Sequence, residues 1–278
     1  MVADMRDLSG HPELCAINTA TLGFQAPIEE VIDEIARAGF GGIAPWRREV
    51  EGHDLKAIAR RIRDAKLKIT GYCRSTYIPA DTRAEFEVNI ADNISALNDA
   101  ATLGAEYFAL VVGSGKDLVK AREQVMEALG LLLRHARNCG VKLALEPLHP
   151  VYAADRSCIN TLSNALDFCG AFDDPNLGVL IDVYHVWWDP DVARQIGRAK
   201  RRIFGFHVND WLHPVTDILN NRGMMGDGII PIKALRNLVE DTGYRGLIEC
   251  EIFSSENWWK RSMAETLAVA KERFATAT

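Results

Sequence analysis

The chain has 278 residues, 48% of them hydrophobic, and a formal net charge of −6 at pH 7. This length suits one large α/β barrel or two ordinary domains, and it provides ample apolar material for a buried core. The mild acidity argues against nucleic acid as a partner, because proteins that bind the phosphate backbone usually carry a basic patch. No segment approaches the ~18 consecutive apolar residues of a membrane span, so no membrane partner is expected.

The amino-terminal sequence and the cysteines indicate the compartment. The start of the chain, MVADMRDLSG, is polar and lacks the apolar core of a signal peptide. The six cysteines are scattered, without a C-x-x-C pair, and most of them lie in apolar segments. We therefore predict a cytoplasmic protein whose cysteines are reduced packing residues.

Short apolar stretches alternate with amphipathic segments along the chain, which predicts eight strands and eight helices. The predicted strands are residues 14–19, 41–47, 68–74, 107–112, 142–148, 177–182, 203–208 and 246–252. The predicted helices are residues 27–38, 53–65, 82–103, 118–138, 161–170, 190–200, 232–242 and 257–275.

This alternation favours a parallel sheet, and eight units favour closure into a (β/α)8 TIM barrel. An open, doubly wound sheet is the alternative. No Pro/Ser-rich linker interrupts the chain, so we predict a single barrel domain over residues 1–278. Its longest irregular segment is the loop of residues 209–228, which follows the seventh strand.

Four consecutive predicted strands each end on a residue that can bind a metal ion. A carboxylate at the end of an apolar strand is costly to bury unless it is paired or bound to a metal. Because a barrel gathers strand ends at one rim, we predict a single metal site. Three carboxylates and one imidazole suit Mn²⁺ or Mg²⁺, with Zn²⁺ and Co²⁺ as alternatives. The residues are Glu146 in LALEPLHP, Asp182 in GVLIDVYHVWW, His207 in IFGFHVNDW and Glu251 in GLIECEIF.

The eighth strand carries a second glutamate, Glu249, two residues before Glu251. Both side chains would point to the same face of the strand. We prefer Glu251 as the ligand because it is nearer the carboxyl end. Glu249 is expected to lie one layer deeper or to pair with a basic group.

Three further residues are candidates for binding a substrate. His185 stands three residues after Asp182 and is expected either to hold a substrate hydroxyl or to orient a metal ligand. Arg222 lies in the glycine-containing seventh loop and is expected to bind a substrate oxygen or to be a solvated surface residue. His149 follows Glu146 closely and would face the pocket or cap its loop.

All six tryptophans lie at or just after predicted strand ends, which predicts an aromatic wall for a ring-shaped or glycosidic substrate. Trp46, Trp188 and Trp211 are the candidates for substrate contact. The alternatives are shielding of the site by loops and an oligomer contact through Trp258 and Trp259.

Four arginines also lie near strand ends, where they could hold a phosphate group or be surface residues. The sequence therefore leaves open whether the substrate is phosphorylated. These arginines are Arg47, Arg48, Arg74 and Arg156.

Motifs of two other enzyme classes are missing from the sequence. No G-x-G-x-x-G follows a strand, and no G-x-x-x-x-G-K-S/T is present, so nucleotide binding has no support. No G-x-S-x-G is present either, which leaves a serine hydrolase without a visible nucleophile.

The order of these motifs resembles the sugar phosphate isomerase/epimerase family of xylose-isomerase-like TIM barrels. The likeness runs through EPLHP, DVYH, HVND, a glycine-rich loop and EIF, and it is strongest over residues 142–259. The family includes ketose 3-epimerases, hydroxypyruvate isomerases, inosose isomerases and dehydratases, and endonuclease IV. The end of the chain, GYRGLIECEIFSSENWW, is most similar to the inosose isomerase branch.

The resemblance implies roles for the candidate residues. Glu146 and Glu251 would be metal ligands as well as the catalytic acid and base, with Asp182 and His207 completing the coordination. His185 and Arg222 would hold substrate oxygens. The extra ligands of the three-metal endonuclease IV cluster have no match here.

The implied reaction is metal-dependent isomerisation or epimerisation of a sugar or cyclic polyol ketone, by proton transfer through a cis-enediolate. Elimination of a group β to the carbonyl, by a dehydratase or lyase of a keto-sugar or keto-glycoside, is the alternative. Hydrolytic DNA repair and a non-catalytic binding protein are weaker alternatives. A homodimer or homotetramer is expected at the level of the family.

Overall fold

The buried apolar stretches form strands, and most segments between them form helices. The computed structural model describes residues 5–278. The strands are β1 (Cys15–Asn18), β2 (Gly42–Ala44), β3 (Lys68–Ile69), β4 (Gly71–Tyr72), β5 (Tyr107–Leu110), β6 (Lys142–Leu145), β7 (Leu177–Asp182), β8 (Ile203–Val208), β9 (Asp210–Trp211), β10 (Arg222–Gly223) and β11 (Ile248–Cys250).

Nine of these strands form a nearly closed parallel barrel within the described residues, in the order β3-β2-β1-β11-β8-β7-β6-β5-β4. The predicted third strand is divided at Thr70. Its first half, β3, pairs with β2, and its second half, β4, pairs with β5. The chain itself therefore joins the two ends of the sheet, and the predicted TIM barrel is confirmed.

Helices surround the barrel, and the longest ones lie close to their predicted bounds. The helices of the described residues are α1 (Ile28–Ala38), α2 (Arg47–Val50), α3 (Leu55–Asp64), α4 (Arg83–Leu103), α5 (Leu118–Cys139), α6 (Leu162–Phe172), α7 (Val183–Val186), α8 (Val192–Ala199), α9 (Ile232–Asp241) and α10 (Met263–Ala277). The predicted last helix, residues 257–275, begins later, because Trp258–Lys260 forms a separate 3₁₀ turn and Ser262 caps α10.

Local capping explains the ends of the long helices α4 and α5. Thr82 and Glu85 form a capping box at the start of α4, each side chain accepting a hydrogen bond from the other's backbone N–H. Asp117 caps the start of α5 in a similar way. Gly104 and Gly140 end the two helices in the left-handed conformation that glycine adopts without strain.

The main apolar core lies between the strands and the helices, and a smaller group fills the barrel interior. Tyr107 is the largest residue of that inner group. Gly71 and Gly205 make room for its ring, because a Cβ atom on either would come within 2.6 Å of a Tyr107 side-chain atom. The ring is thus held below the carboxyl ends of the strands. The inner group consists of Cys73, Tyr107, Ala109, Ala144 and Leu180.

The predicted long loop, residues 209–228, contains a short antiparallel ladder. β9 pairs with β10, with Arg222 opposite Trp211 and Gly223 opposite Asp210. The Asp210 carboxylate accepts hydrogen bonds from the backbone N–H groups of Gly226, Gly228 and Ile230. The loop is therefore folded back on itself, and this arrangement brings Arg222 towards the barrel axis.

All six cysteines are free, and five of them are buried. This agrees with the predicted role of the cysteines as reduced packing residues. Among the helices of residues 5–278, none combines the length and the apolar composition that crossing a membrane requires.

Candidate metal centre and active site

Four neighbouring strands deliver one ionisable side chain each to the carboxyl end of the barrel. Glu146 directly follows β6, Asp182 ends β7, His207 lies in β8 and Glu251 directly follows β11. All four are buried, and one potential ligand atom from each lies within 4.8 Å of the others. We call these four residues the carboxylate–histidine cluster. They are the residues that the sequence predicts as metal ligands.

His207 is oriented from below by Glu249. The Nε2 atom of His207 lies 3.0 Å from Oε1 of Glu249 and 3.2 Å from the hydroxyl oxygen of Tyr107. Glu249 also accepts hydrogen bonds from Asn18 and Thr70, at 2.8 and 2.6 Å. With Nε2 bound to a carboxylate, the Nδ1 atom faces the cluster. This is the arrangement by which proteins orient a metal-binding histidine.

Glu251 is held on one side by Asn18. The amide Nδ2 of Asn18 donates to Oε1 of Glu251 at 3.0 Å. Its Oδ1 accepts a hydrogen bond from the Trp46 indole at 2.7 Å, which fixes the orientation of the amide. The other oxygen of Glu251 is directed towards the cluster. Sequence patterns did not reveal Asn18, because an asparagine at a strand end is also an ordinary helix or turn cap; here its Oδ1 accepts from the Ala20 N–H as well.

Arg222 enters the site from the folded seventh loop. Its Nη1 donates to Asp182 Oδ2 at 2.8 Å and to Glu251 Oε2 at 3.1 Å. The guanidinium also lies over the Tyr184 ring, 4.5 Å from its centroid. Arg222 is buried, so the alternative of a solvated surface arginine is wrong. Burial would lower the pKa of Arg222, but Asp182 and Glu251 outweigh burial and raise it.

His185 lies beside Arg222 at the floor of the same cavity. Its Nδ1 accepts a hydrogen bond from the backbone N–H of His149 at 3.2 Å, so the other nitrogen, Nε2, carries the proton of a neutral ring. Burial lowers the pKa of His185 to about 3, which keeps the imidazole uncharged at neutral pH. Nε2 lies 3.9 Å from Asp182 Oδ2. His185 is therefore a neutral hydrogen-bond donor.

A cavity of about 340 Å³ opens above the cluster. This volume is within the usual range of small-molecule sites. Glu146, Glu251, His185 and Arg222 line its floor. The predicted catalytic glutamates and three of the predicted substrate-binding residues, His185, Arg222 and Trp46, thus face one cavity.

One wall of the cavity is aromatic, and it includes two of the six tryptophans. Trp46 contacts Phe24 and Phe253 edge to face, with ring centroids 6.0 and 5.5 Å apart. Trp259 packs against the same two phenylalanines. Phe24 and Phe253 were not predicted as site residues. Phe253 ends the EIF motif, which could have identified it, whereas the sequence gives no local signal for Phe24.

Trp188, Trp211 and His149 do not line this cavity. The His149 ring lies between the two tryptophans, edge to face with Trp188 at 5.5 Å and tilted against Trp211 at 5.0 Å between centroids. The Trp188 indole donates to the His185 backbone carbonyl at 2.8 Å. These side chains pack beside α7, the short helix that carries His185, so their position gives no support to direct substrate contact.

The cluster fits a bound metal ion. The cluster places three carboxyl groups and one imidazole around a common point, and a divalent cation there would favour the ionised form of all three carboxyl groups. The Nδ1 atom of His207 is buried and has no hydrogen-bond partner within residues 5–278. Burial, and then the charge of Glu251, raise the pKa of Glu146 to about 8, because no cation close by stabilises its ionised form enough to offset them. The cluster could therefore bind a metal.

Comparison with known families matches residues 32–272 to the xylose isomerase-like TIM barrel family. This match covers most of the chain, so the chain belongs to that family. The family is one of enzymes, as its named members below illustrate, and the resemblance inferred from the motifs is confirmed.

Curated proteins with similar sequences have different activities. A 3-dehydroshikimate dehydratase from Pseudomonas putida is 25% identical over 84% of this chain and 37% of its own. An L-ribulose 3-epimerase from a Methylomonas species is 24% identical over 83% of this chain and 80% of its own. An inosose isomerase from Halalkalibacterium halodurans is 26% identical over 49% of this chain and 48% of its own. The chain thus spans about a third to a half of the length of two of these relatives.

Solved structures share the fold. A Sinorhizobium meliloti protein is 45% identical and superposes with a TM-score of 0.93, covering 96% of this chain and 99% of its own. The IolI protein, whose structure holds a zinc atom, is 19% identical with a TM-score of 0.82, covering 94% of this chain and 98% of its own. At that identity the second likeness concerns the fold alone.

Proposed function

We propose that the protein is a divalent-metal-dependent isomerase or epimerase of a sugar or cyclic polyol ketone. The observation that carries this proposal is the carboxylate–histidine cluster at the floor of a sugar-sized cavity, with two glutamates of the cluster facing that cavity. The isomerase and epimerase among the relatives support the same reaction class.

Glu146, Asp182, His207 and Glu251 would hold the ion. Three carboxylate ligands and one imidazole favour Mn²⁺, with Mg²⁺, Co²⁺ and Zn²⁺ as alternatives. The ion would supply Lewis-acid polarisation of a ketone oxygen, which makes the neighbouring C–H group more acidic.

The two glutamates would then transfer protons. One carboxylate removes the proton next to the ketone, and the other, within the same cluster, donates a proton to the opposite face or to the adjacent carbon. Donation to the opposite face of the same carbon gives an epimer. Donation to the former ketone carbon gives an isomer, in which the neighbouring hydroxyl becomes the new carbonyl and its proton passes to the former ketone oxygen. Asn18 holds one oxygen of Glu251 and so directs the second oxygen into the site.

His185 and Arg222 would bind the oxygens of the substrate. His185 is neutral and buried, so its Nε2–H can donate to a hydroxyl without adding charge. The Nη1 atom of Arg222 already contacts Asp182 and Glu251. Its Nη2 atom, 3.5 Å from Nε2 of His185, would donate to a substrate oxygen. The Trp46 face of the aromatic wall would exclude water from one side of the sugar.

The alternative is a dehydratase or lyase. It is favoured by the dehydratase among the relatives, which aligns with 84% of this chain. The chemistry differs only after proton removal, when a leaving group β to the carbonyl departs instead of a proton returning. The same cluster would serve both reactions, and the product distinguishes them.

Deuterium exchange tests the proposal. The protein supplied with Mn²⁺ is incubated in D₂O with free ketoses, inososes and 3-keto-glycosides, and the C–H signals are followed by NMR. Exchange next to the carbonyl is expected, with loss after chelation. Glu146→Gln and Glu251→Gln should each lower exchange by at least about 10²-fold, the lower end of the contribution of general acid–base catalysis.

Glu256→Gln is the matched control, because Glu256 is exposed and lies five residues after Glu251 outside the cavity lining. It should exchange as the wild type does. Exchange that persists in both cluster variants, or that withstands chelation, contradicts the proposed mechanism. The predicted single domain, oligomer and cytoplasmic location stay predictions.

A further inference from the structure

Three arginines stand around the mouth of the cavity. Arg48 follows β2, Arg74 follows β4 and Arg156 follows β6, and all three line the cavity above the carboxylate–histidine cluster. Arg48 is exposed and the other two are half-buried, whereas Glu146 and Glu251 are buried. We call these three residues the arginine rim.

The charges of the arginine rim have little compensation. Within residues 5–278, no carboxylate lies within 4.0 Å of the Arg48 or Arg74 guanidinium, and Arg74 donates only to the Ser75 backbone carbonyl at 3.3 Å. The Nε atom of Arg156 is 4.0 Å from Asp155. By contrast, Arg47, the neighbour of Arg48, forms a two-pronged pair with Asp92 at 2.9 and 3.0 Å.

Aromatic rings position these arginines without neutralising them. Arg48 lies over Phe24 with its Cζ 3.4 Å from the ring centroid, and Arg74 lies over Tyr77 at 4.6 Å. Arg156 lies over Tyr152 at 5.7 Å. A ring attracts the guanidinium face and leaves its N–H edges free for a planar anion. Phe24, Tyr77 and Tyr152 also line the cavity.

The cavity carries its acidic side chains at the floor and the arginine rim at the mouth. Among residues 5–278, the carboxylates that line the cavity are the two cluster glutamates, and these lie at the floor. A ligand that contacts the cluster with one end would therefore place its other end among arginines whose charges are only weakly compensated. Partial burial makes such contacts stronger than those at an open surface.

We propose that the substrate carries an anionic group, a carboxylate or a phosphate, which the arginine rim binds while the ketone faces the cluster. This inference rests on the proposed function for the position of the ketone. The anion-binding site itself depends only on the three arginines and their aromatic supports.

Binding of three matched ketones tests the inference. D-fructose is neutral, D-fructuronate carries a carboxylate, and D-fructose 6-phosphate carries a phosphate at the corresponding carbon. Their affinities are measured by calorimetry at constant ionic strength, with the protein supplied with Mn²⁺. At least one anionic ketone should bind about tenfold or more tightly than fructose, because one charge-assisted contact suffices for that ratio. The preferred ketone identifies carboxylate or phosphate.

Arginine variants test whether the tighter binding of the anionic ketone, its affinity advantage over fructose, depends on the arginine rim. Arg74→Met and Arg156→Met should each reduce it by about tenfold, and Arg48→Met by less, since an exposed pair contributes less. Arg74→Lys keeps the charge and should retain part of the advantage. Arg134→Met is the control, because Arg134 is exposed on α5 and outside the cavity lining. Equal affinity for all three ketones, or an advantage that survives the rim variants, overturns the inference.

The two proposals fail in different ways. Deuterium exchange in fructose without any anionic advantage would leave the proposed function standing and remove the arginine rim from it. An anionic advantage lost in the rim variants, without exchange in any ketone, would establish the anion site and contradict the isomerase chemistry.

Discussion

Glu249 lies in β11 and Glu251 directly follows it, and this difference in position gives the two glutamates different roles. Glu249 is 1% exposed and accepts hydrogen bonds from Asn18, Thr70 and Tyr107 while it also holds His207. Burial would raise the pKa of Glu249, but the charge and hydrogen bond of His207, followed by the hydrogen bonds from Thr70 and Asn18, leave it below its ordinary value. Glu251, two residues on, faces the cavity. Glu249 is therefore placed to orient a ligand, and Glu251 to be one.

Replacing Glu249 should weaken metal binding without abolishing it. Glu249→Gln keeps the shape of the side chain but gives His207 Nε2 a weaker acceptor, so its Nδ1 is less well oriented. A loss of about 10–100-fold in Mn²⁺ affinity is expected, as for other partners of metal-binding histidines. Competition titration with a chromogenic chelator measures it, with a thermal melt to establish folding.

Glu251→Gln provides the comparison and should lose more affinity than Glu249→Gln. If Glu251→Gln binds Mn²⁺ as the wild type does while Glu249→Gln does not, the ligand of the eighth barrel strand is Glu249.

The sequence was sufficient for the four cluster residues but not for the cavity walls. Glu146, Asp182 and Glu251 stand at the ends of apolar strands, and the fold brings strand ends together. Trp188 and Trp211 occupy similar positions, yet they pack around His149 away from the cavity. The direction of a side chain on a strand can be inferred from the alternation of residues along that strand. The direction of a side chain on a loop depends on contacts with residues far away in the chain.

Among the elements, those with local signals were the predictable ones. α4 and α5 begin at side-chain caps and end at glycines, and the predicted bounds agree with the structure within a residue. The ladder of β9 and β10 was not predicted, since it depends on Asp210 accepting bonds from residues 16 to 20 positions later. No short-range pattern encodes such contacts.

The amino-terminal segment, α9 and the end of the chain meet in a buried ion pair. Glu240, 2% exposed, binds Arg6 Nε and Arg236 Nε, both at 3.0 Å. Arg236 also donates to the Thr278 backbone carbonyl at 3.1 Å. Burial alone would raise the pKa of Glu240, but hydrogen bonds from Arg236 and the Arg6 backbone outweigh it and lower the pKa below 4.5. These contacts tie Arg6 and Thr278 to α9.

Glu240→Gln should lower the free energy of unfolding by about 3 kcal/mol at pH 7, because it leaves the buried Arg236 and the half-buried Arg6 without their carboxylate. The folded pKa lies below the unfolded one, so the contribution of Glu240 is fully present above about pH 4.5 and is lost as the pH falls through the folded pKa. Urea unfolding from pH 7 to pH 3 measures this.

The difference between wild type and variant should stay constant down to about pH 5 and then shrink. The same difference at every pH would mean that Glu240 acts through packing rather than through its charge. Glu256→Gln, in an exposed pair with Lys260, should change stability by no more than about 1 kcal/mol at any pH.

The candidate active site and the Glu240 ion pair lie in different parts of the barrel. The cluster, His185 and Arg222 lie at the carboxyl ends of the strands, where the proposed chemistry takes place. The Glu240 contacts join residues 6 and 278 to α9, outside the cavity lining. The fold identifies the family, but the activity has to be argued from the residues of the site, because one barrel supports many reactions.

The cluster also connects metal binding to the stability of the whole barrel. Its members come from positions 146, 182, 207 and 251, on four neighbouring strands, so the unfolded chain cannot offer them together. An ion that binds only the folded state stabilises it in proportion to the logarithm of its concentration. Folding and metal binding should therefore be linked.

Mn²⁺ at about 100 times its dissociation constant should add about 2.7 kcal/mol to the free energy of unfolding, which corresponds to a rise of roughly 5 °C or more in Tm. Calorimetric melts with Mn²⁺ and with chelator measure the shift. Glu146→Gln is the sharpest control, since burial already raises the pKa of Glu146 to about 8 and the uncharged amide resembles its protonated form at pH 7. The variant should melt like the chelated wild type and gain little from Mn²⁺. An equal Mn²⁺ shift in both proteins would place the stabilising ion outside the cluster.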